Sequence, residues 1–365
     1  MERESRKLNM GDYINEAPSV ARANLARADE LVAPLIEKLG SAPRRLLLVA
    51  SGSSGNAALC ALPFMHSCLG RGCEIRVIPP FSFTCYEVDA LDDDDRVIVI
   101  SQSGLSTNAI AALDALRSRG RAAWCLTGNT AADVRGHADE VFDYGVGEEL
   151  VGYVTKGVTT LALYLMALAS RLSGRRDRDA DLARALDAAD AVHAGARDFF
   201  GQHEKALTSM SSCYCMGAGP TWGVACEGAL KIGETVHVPS PPYEVEEFIH
   251  GPNLQLTPAH TVFFFDAGDA ASARVQQVWR ASREVTDRAF LLTTDARLDG
   301  APGAMAVPAL SSPDTASLAF LPFVQTIAFL VSDELGSAKQ HPLLKRFKKV
   351  ASAKTANFVN YDGDE

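Results

Sequence analysis

Twice in the first third of the chain, a short apolar run stops at a serine–glycine loop that opens a helical pattern. Residues 46–50 run into Ser51-Gly-Ser-Ser-Gly55, and residues 97–100 run into Ser101-Gln-Ser-Gly104. A strand without polar alternation is buried on both faces, as in parallel sheets covered by helices on both sides. Further strands are expected at 74–78 and 122–127, and helices at 17–39, 56–68 and 106–119. Pro18 falls in the first turn of the 17–39 helix, and Pro34 is expected to kink it. Residues 171–201 are rich in Ala, Arg and Asp, lack a strand signal and read as a helical linker. Beyond them the order returns: strands at 212–216, 261–265 and 289–293, a helix through Glu234, another near 271–285, and a long apolar helix at 317–335. The expected fold is therefore α/β, two parallel-sheet units of the same order related as a diverged internal repeat. Each unit is expected to be a parallel sheet with helices on both faces, a flavodoxin-like three-layer sandwich.

The formal charge is −10, from 35 basic and 45 acidic residues, which argues against a nucleic-acid partner. Eight cysteines form no CxxC pair. Cys213 and Cys215 point to one side of a strand, but no further ligands with zinc spacing accompany them, so neither metal nor cofactor is expected. Reduced thiols in a chain this long suggest a cytoplasmic protein. Residues 1–7 lack the apolar core of a secretory signal. The apolar runs at 161–168 and 318–331 are short, or carry polar residues and a proline, so buried helices are expected rather than membrane spans.

Loops that leave a strand and open a helix are where open α/β sheets bind ligands. The helix N-terminus offers free N–H groups and partial positive charge, which suit a phosphate. Ser101, Ser103, Ser106 and Thr107 add hydroxyls, and Gly104 allows close backbone approach. Serine and glycine also serve as ordinary N-cap and turn residues. Two such loops in adjacent units favour the phosphate. The matching loop of the second unit, Asp266-Ala-Gly-Asp269, would repel one, so a single phosphate site is expected.

In Cys226-Glu-Gly-Ala-Leu-Lys-Ile-Gly-Glu234, the side chains of Glu227, Lys231 and Glu234 share one helix face. A solvated ion pair would explain that face. The flanking Val224, Ala225, Ala229 and Ile232, with glycines at 228 and 233, instead describe a helix that something approaches closely. Pro239, Pro241 and Pro242 end it, and His250 follows just before Gly251-Pro252, where a histidine can also simply cap a helix.

Together these motifs resemble the double-domain sugar isomerase (SIS) family, in particular the isomerase half of glucosamine-6-phosphate synthase and the bacterial fructosamine-6-phosphate deglycases. Glu-Gly-Ala-Leu-Lys-x-x-Glu precedes His-Gly-Pro by the family's order, and Ser101–Gly104 and Ser51–Ser54 resemble its phosphate loops. Asn15-Glu-Ala-Pro18 resembles the segment before its first helix, and Glu149–Lys156 the loop that closes over the sugar. Leu105 departs from the pattern, standing where the family usually has an acidic residue.

The resemblance implies two SIS domains, at 41–170 and 205–340, between an N-terminal helical segment (1–40), a linker (171–204) and a closing tail (341–365). It implies that Ser53, Ser54, Ser101, Gln102, Ser103 and Ser106 hold a sugar phosphate. Glu234 is then the base between C1 and C2, supported by Glu227 and Lys231. His250 serves ring opening or acid catalysis from the other subunit of a homodimer. A tail lysine, Lys348 or Lys349, contacts the sugar. No glutaminase unit is read in the chain, which favours a reaction that consumes an aminosugar phosphate. The expected activity is cleavage of a 6-phosphorylated fructosamine to an aldose 6-phosphate and an amine. A glucosamine-6-phosphate deaminase, an aldose/ketose isomerase and a non-catalytic sugar-phosphate sensor are the competing readings.

Overall fold

The computed structural model describes residues 8–337, 341 and 343–359. The expectation about residues 1–7, and the parts of the tail at 342 and 360–365, fall outside the described residues. The chain builds two five-stranded sheets. The first holds β1 (Arg45–Val49), β2 (Glu74–Ile78), β3 (Asp95–Ile100), β4 (Trp124–Thr127) and β5 (Glu140–Asp143), in the order β2-β1-β3-β4-β5. The second holds β6 (Cys213–Gly217), β7 (Pro242–Glu244), β8 (Thr261–Asp266), β9 (Ala289–Thr293) and β10 (Ala304–Ala306), in the order β10-β9-β8-β6-β7. Read from its β7 end, the second order repeats the first, and every strand pairing is parallel. This is the flavodoxin-like order, and it carries out the α/β repeat expected from the sequence.

The order matters for the site. In the first sheet the strand sequence reverses between β1 and β3, and Val49 is registered with Val99. The loops that leave these two strands therefore emerge side by side, at the switch point where open sheets bind ligands.

Helices from both halves pack into one apolar layer. The Gly52–Leu69, Lys156–Leu172, Asp179–Thr208, Trp222–Thr235 and Ala316–Leu335 helices contribute to a single buried cluster. Ala316–Leu335 is long and apolar enough to cross a bilayer by composition, yet nearly all of its apolar window is buried in the protein. The 171–201 stretch forms most of the 30-residue Asp179–Thr208 helix, whose Leu182, Leu186, Val192 and Phe199 join that core.

Helix starts differ from expectation for identifiable reasons. The first helix begins at Met10, where Asn9 and Asp12 form a reciprocal capping box, and it stops at Ala26. Asn15–Pro18 therefore lies inside it, not before it. A second helix, Ala28–Leu39, tolerates Pro34; the break falls at Arg27 instead. Ser53 and Ser54 belong to the first turn of Gly52–Leu69. The three strands without a sequence signal, β5, β7 and β10, are edge strands of three or four residues.

Candidate active site

The Gly52–Leu69 and Trp222–Thr235 helices, one from each half, cross where Gly223 meets Cys60. A methyl group at Gly223 would collide with the Cys60 backbone nitrogen. One turn on from Gly223, Glu227 accepts two hydrogen bonds from the Gly52–Leu69 helix. Ser53 Oγ donates to Glu227 Oε1 at 3.1 Å, and Asn56 Nδ2 donates to Glu227 Oε2 at 2.8 Å. Glycine at 223 thus sets how closely the helix bearing Glu227 approaches the first serine loop.

Glu227 and Lys231 are wholly buried. Lys231 Nζ donates to Glu234 Oε2 at 2.6 Å and lies 3.5 Å from Glu227 Oε1. Burial raises the pKa of Glu227, against the pull of Lys231 and the Asn56 and Ser53 hydrogen bonds. Burial also works against charge on Lys231, but the two carboxylates outweigh it and hold its pKa above the ordinary lysine value. Glu234 differs from its neighbours: its side chain is 35% exposed and lines a cavity of about 750 Å³.

The same cavity is lined by both serine loops, by the 146–154 segment and by part of the C-terminal tail. Ser101 is buried at the end of β3, and its hydroxyl has no hydrogen-bond partner among the described residues. Gly104 has φ +64° and packs its bare Cα against Ala132, which lets the loop turn before the Thr107–Ser118 helix. Ser103 and Ser106 hydroxyls both accept from Lys354 Nζ, at 3.0 and 3.2 Å. The tail is strapped in place by its backbone: Thr107 N–H donates to Ala353 O at 3.1 Å and Thr355 N–H to Leu105 O at 2.9 Å. Burial pulls the pKa of Lys354 below its usual value.

Gln102 turns its amide away from the loop and donates to Glu149. Glu149 also caps the Lys156–Leu172 helix, accepting from the N–H groups of Thr155 (2.9 Å), Lys156 (2.7 Å) and Gly157 (3.0 Å). Burial raises its pKa, opposed by these hydrogen bonds. Lys156, buried, reaches Glu16 at 3.2 Å and Glu148 O at 2.8 Å, so the first helix anchors the base of the 146–154 segment.

The structure thus brings Ser53, Ser54, Ser101, Gln102, Ser103 and Ser106 to one cavity with Glu234, and sets Glu227 and Lys231 directly behind it. It does not bring His250 there. His250 caps the short Val245–Ile249 helix and is exposed, outside the cavity of its own chain. Lys348 and Lys349 lie on the Leu344–Val350 helix and do not line the cavity; Lys354 does. Sequence reasoning also passed over Asn56 and the anchoring role of Glu149. Asn56 carried a signal, since it lies three residues from Ser53 on the same helix face.

In the second half, the loop that corresponds to the serine loops carries a carboxylate. Asp266 is buried at the end of β8, and its carboxylate accepts from Gly268 N–H (3.0 Å), Gln276 Nε2 (3.0 Å), Thr293 Oγ1 (2.8 Å) and the Ser272 hydroxyl. The loop's donors are spent on its own carboxylate.

Residues 39–170 match the SIS domain family. The chain is 30% identical over 230 residues to a glutamine–fructose-6-phosphate aminotransferase (isomerizing) of Pyrobaculum aerophilum, a stretch covering 61% of this chain and 37% of that protein. The match thus spans well under half the length of that relative. Among solved structures, a candidate phosphosugar isomerase from Clostridium difficile 630 superposes with a TM-score of 0.84 at 21% identity, covering 96% of this chain and 100% of that one. The glucosamine-6-phosphate deaminase of Thermotoga maritima superposes with a TM-score of 0.69 at 19% identity, covering 89% of this chain and 95% of that one. These likenesses establish the double-SIS fold.

Proposed function

From an SIS-domain fold with this cavity, we propose that the chain is a sugar-phosphate deglycase that splits a 6-phosphorylated fructosamine into an aldose 6-phosphate and a free amine. The observation that carries the reading is the joining of three things in one cavity: two serine loops at a sheet switch point, Lys354 on the Ser103 and Ser106 hydroxyls of the second loop, and the Glu234 carboxylate. The serines, the helix N-termini and Lys354 suit a phosphate. Glu234, held by Lys231, suits proton transfer at carbon.

In this reading the substrate carries a carbonyl at C2 and an amine on C1. Glu234 removes a C1 proton; the electron pair forms the C1–C2 double bond, and the C2 oxygen takes a proton to give an enaminol. Return of a proton to C2 moves the unsaturation to the C1–N bond, as an imine. Water then adds to C1 and the C1–N bond breaks, releasing the amine. One water is consumed, C1 is oxidised and C2 reduced, and no external redox partner is needed. Lys231 orients Glu234, and Glu227 keeps Lys231 charged and in place. His250 of the partner subunit of a homodimer completes the site as the acid for ring opening.

The second reading, a glucosamine-6-phosphate deaminase, draws support from the fold likeness to the Thermotoga maritima enzyme. Cavity size favours the deglycase. A hexose 6-phosphate has about sixteen non-hydrogen atoms, and even at the roughly 30 Å³ a water molecule occupies in the liquid it fills under about 500 Å³. The 750 Å³ cavity has space for a further group on nitrogen.

The test is product analysis. Fructosamine 6-phosphates should release aldose 6-phosphate and amine, whereas ammonia from glucosamine 6-phosphate alone would replace this reading by the deaminase. Tight binding of both sugar phosphates with turnover of neither would make the chain a sensor.

A further inference from the structure

We propose that Gln102 is a positioning residue: its side chain latches the 146–154 wall of the cavity to the phosphate loop, and the bare Cα of Gly157 makes room for the latch. This rests on the sugar-phosphate reading of the cavity, and it reassigns a residue that the family resemblance counts among the phosphate ligands.

Three consecutive residues of that wall are tied down. Glu148 O accepts from Lys156 Nζ at 2.8 Å, and Leu150 N–H donates to Tyr13 Oη at 2.9 Å. Between them the Glu149 carboxylate accepts from the N–H groups of Thr155, Lys156 and Gly157 and from the Gln102 amide. Tyr13 and Lys156 belong to helices, whereas Gln102 stands between Ser101 and Ser103. Its hydrogen bond therefore joins the wall to the loop that holds the phosphate.

The amide is set one way round. Nε2 donates to the Glu149 carboxylate, and Oε1 is buried with no hydrogen-bond partner among the described residues. Turned the other way, Oε1 would face the carboxylate, acceptor against acceptor. To reach a phosphate, the side chain would trade one charge-assisted hydrogen bond for another and leave the wall untied.

Gly157 is the second residue of the Lys156–Leu172 helix, and its φ is not positive, so its backbone does not require glycine. Alanine would favour the helix. A methyl group there, however, would sit 2.6 Å from Gln102 Cδ. Glycine at 157 gives up helix stability for the space that the Gln102 side chain occupies.

Two substitutions open the latch from opposite sides. Gln102→Ala removes the donor and leaves Glu149 its three backbone donors, so the helix keeps its cap. Gly157→Ala keeps Gln102 but displaces the end of its side chain, which can rotate aside. Full-chain variants are compared with wild type for binding of inorganic phosphate and of glucose 6-phosphate by isothermal titration, and for hydrogen exchange of the 148–155 amides. Both variants should bind phosphate within about twofold of wild type but glucose 6-phosphate at least about threefold more weakly, because a wall seated part of the time lowers the apparent affinity by that fraction. The 148–155 amides should exchange at least about threefold faster. The two changes break one contact, so the double variant should be no weaker than either alone. Ser103→Ala is the control and should weaken both ligands alike, about ten- to hundredfold, as loss of a hydrogen bond to a charged group does. If Gln102→Ala behaves like Ser103→Ala, Gln102 is a phosphate ligand and the latch is wrong. Unchanged exchange and unchanged glucose 6-phosphate affinity in Gly157→Ala overturn it as well. Either result leaves the sugar-phosphate reading standing. If the wild-type chain binds neither ligand, that reading itself fails and takes this inference with it.

Discussion

Lys231 Nζ stands 2.6 Å from Glu234 Oε2 and 3.5 Å from Glu227 Oε1, so one buried ammonium serves two carboxylates, of which only Glu234 lines the cavity. The arrangement assigns different losses to different substitutions. Glu234→Gln keeps the shape and leaves the Glu227–Lys231 pair intact. It should fold and bind sugar phosphate normally but lose about 10²–10⁴-fold in kcat. Lys231→Met leaves Glu227 buried without its counter-charge and should cost about 3–5 kcal/mol of stability, read from urea unfolding. A Glu234→Gln variant that retains a tenth of wild-type kcat would remove Glu234 from the role of base.

Ser101 and Ser53 look alike in sequence, since each stands near the start of a serine loop, but their hydroxyls are in different situations. Ser53 Oγ is committed to Glu227, whereas Ser101 Oγ is buried without a partner. Ser101→Ala should therefore leave stability unchanged or slightly raised, because it removes an unsatisfied polar group. If that hydroxyl meets the phosphate, KM should rise about ten- to hundredfold, the worth of a hydrogen bond to a charged group. An unchanged KM would mean that the phosphate does not reach the end of β3.

Lys354 gives the pH dependence. Burial lowers its pKa from the usual 10.5. Between that lowered value and 10.5, a docked tail binds fewer protons than a free one, so rising pH favours docking. The same rise removes the charge that a phosphate dianion needs. KM should therefore begin to climb on the alkaline side at a pH below 10.5. Lys354→Arg, charged throughout, should abolish that limb. A wild-type KM that stays flat up to pH 10.5 would take Lys354 out of phosphate binding.

The helix crossing at Gly223 makes a prediction about both stability and chemistry. Gly223→Ala puts a methyl group into the Cys60 backbone, which neither helix can accommodate without moving. The expected cost is about 1–3 kcal/mol, as for other overpacked contacts. Because the hydrogen bonds from Ser53 and Asn56 to Glu227 lie one turn away, kcat should fall with stability. A stable variant with normal kcat would show that the close crossing does not position Glu227.

The parallel sheets were legible because β1, β3, β6, β8 and β9 are apolar along most of their length, as strands buried on both faces must be. The edge strands β5, β7 and β10 were not, because three or four residues at a sheet margin carry too little pattern to register. The loops of the first half were read as a phosphate site from their position after strands. Nothing in Ser101-Gln-Ser-Gly104, however, says that Gln102 faces Glu149, 47 positions away. Lys354 was hidden for a different reason. The resemblance implies a tail lysine and points to Lys348 or Lys349, on the Leu344–Val350 helix, while the lysine that reaches the serines depends on a backbone bridge between Ser106 and Lys354. The use of Asp266 as an internal anion is visible only with Gln276 and Thr293 around it.

The placement of His250 leads to a test of assembly. It is exposed at the end of the Val245–Ile249 helix and is not among the residues lining the cavity with Glu234. If it takes part in the reaction, it must do so in the cavity of another copy. A two-fold dimer would give two equivalent sites, each with one Glu234 and a His250 from the partner subunit. Glu234→Gln and His250→Asn variants, each inactive alone, are mixed under conditions that allow subunit exchange. Each mixed dimer then holds one site with both defects and one intact site, so activity should return to about half of wild type per mixed dimer. Exchange shown by native mass spectrometry with no return of activity would mean that His250 does not act across the interface.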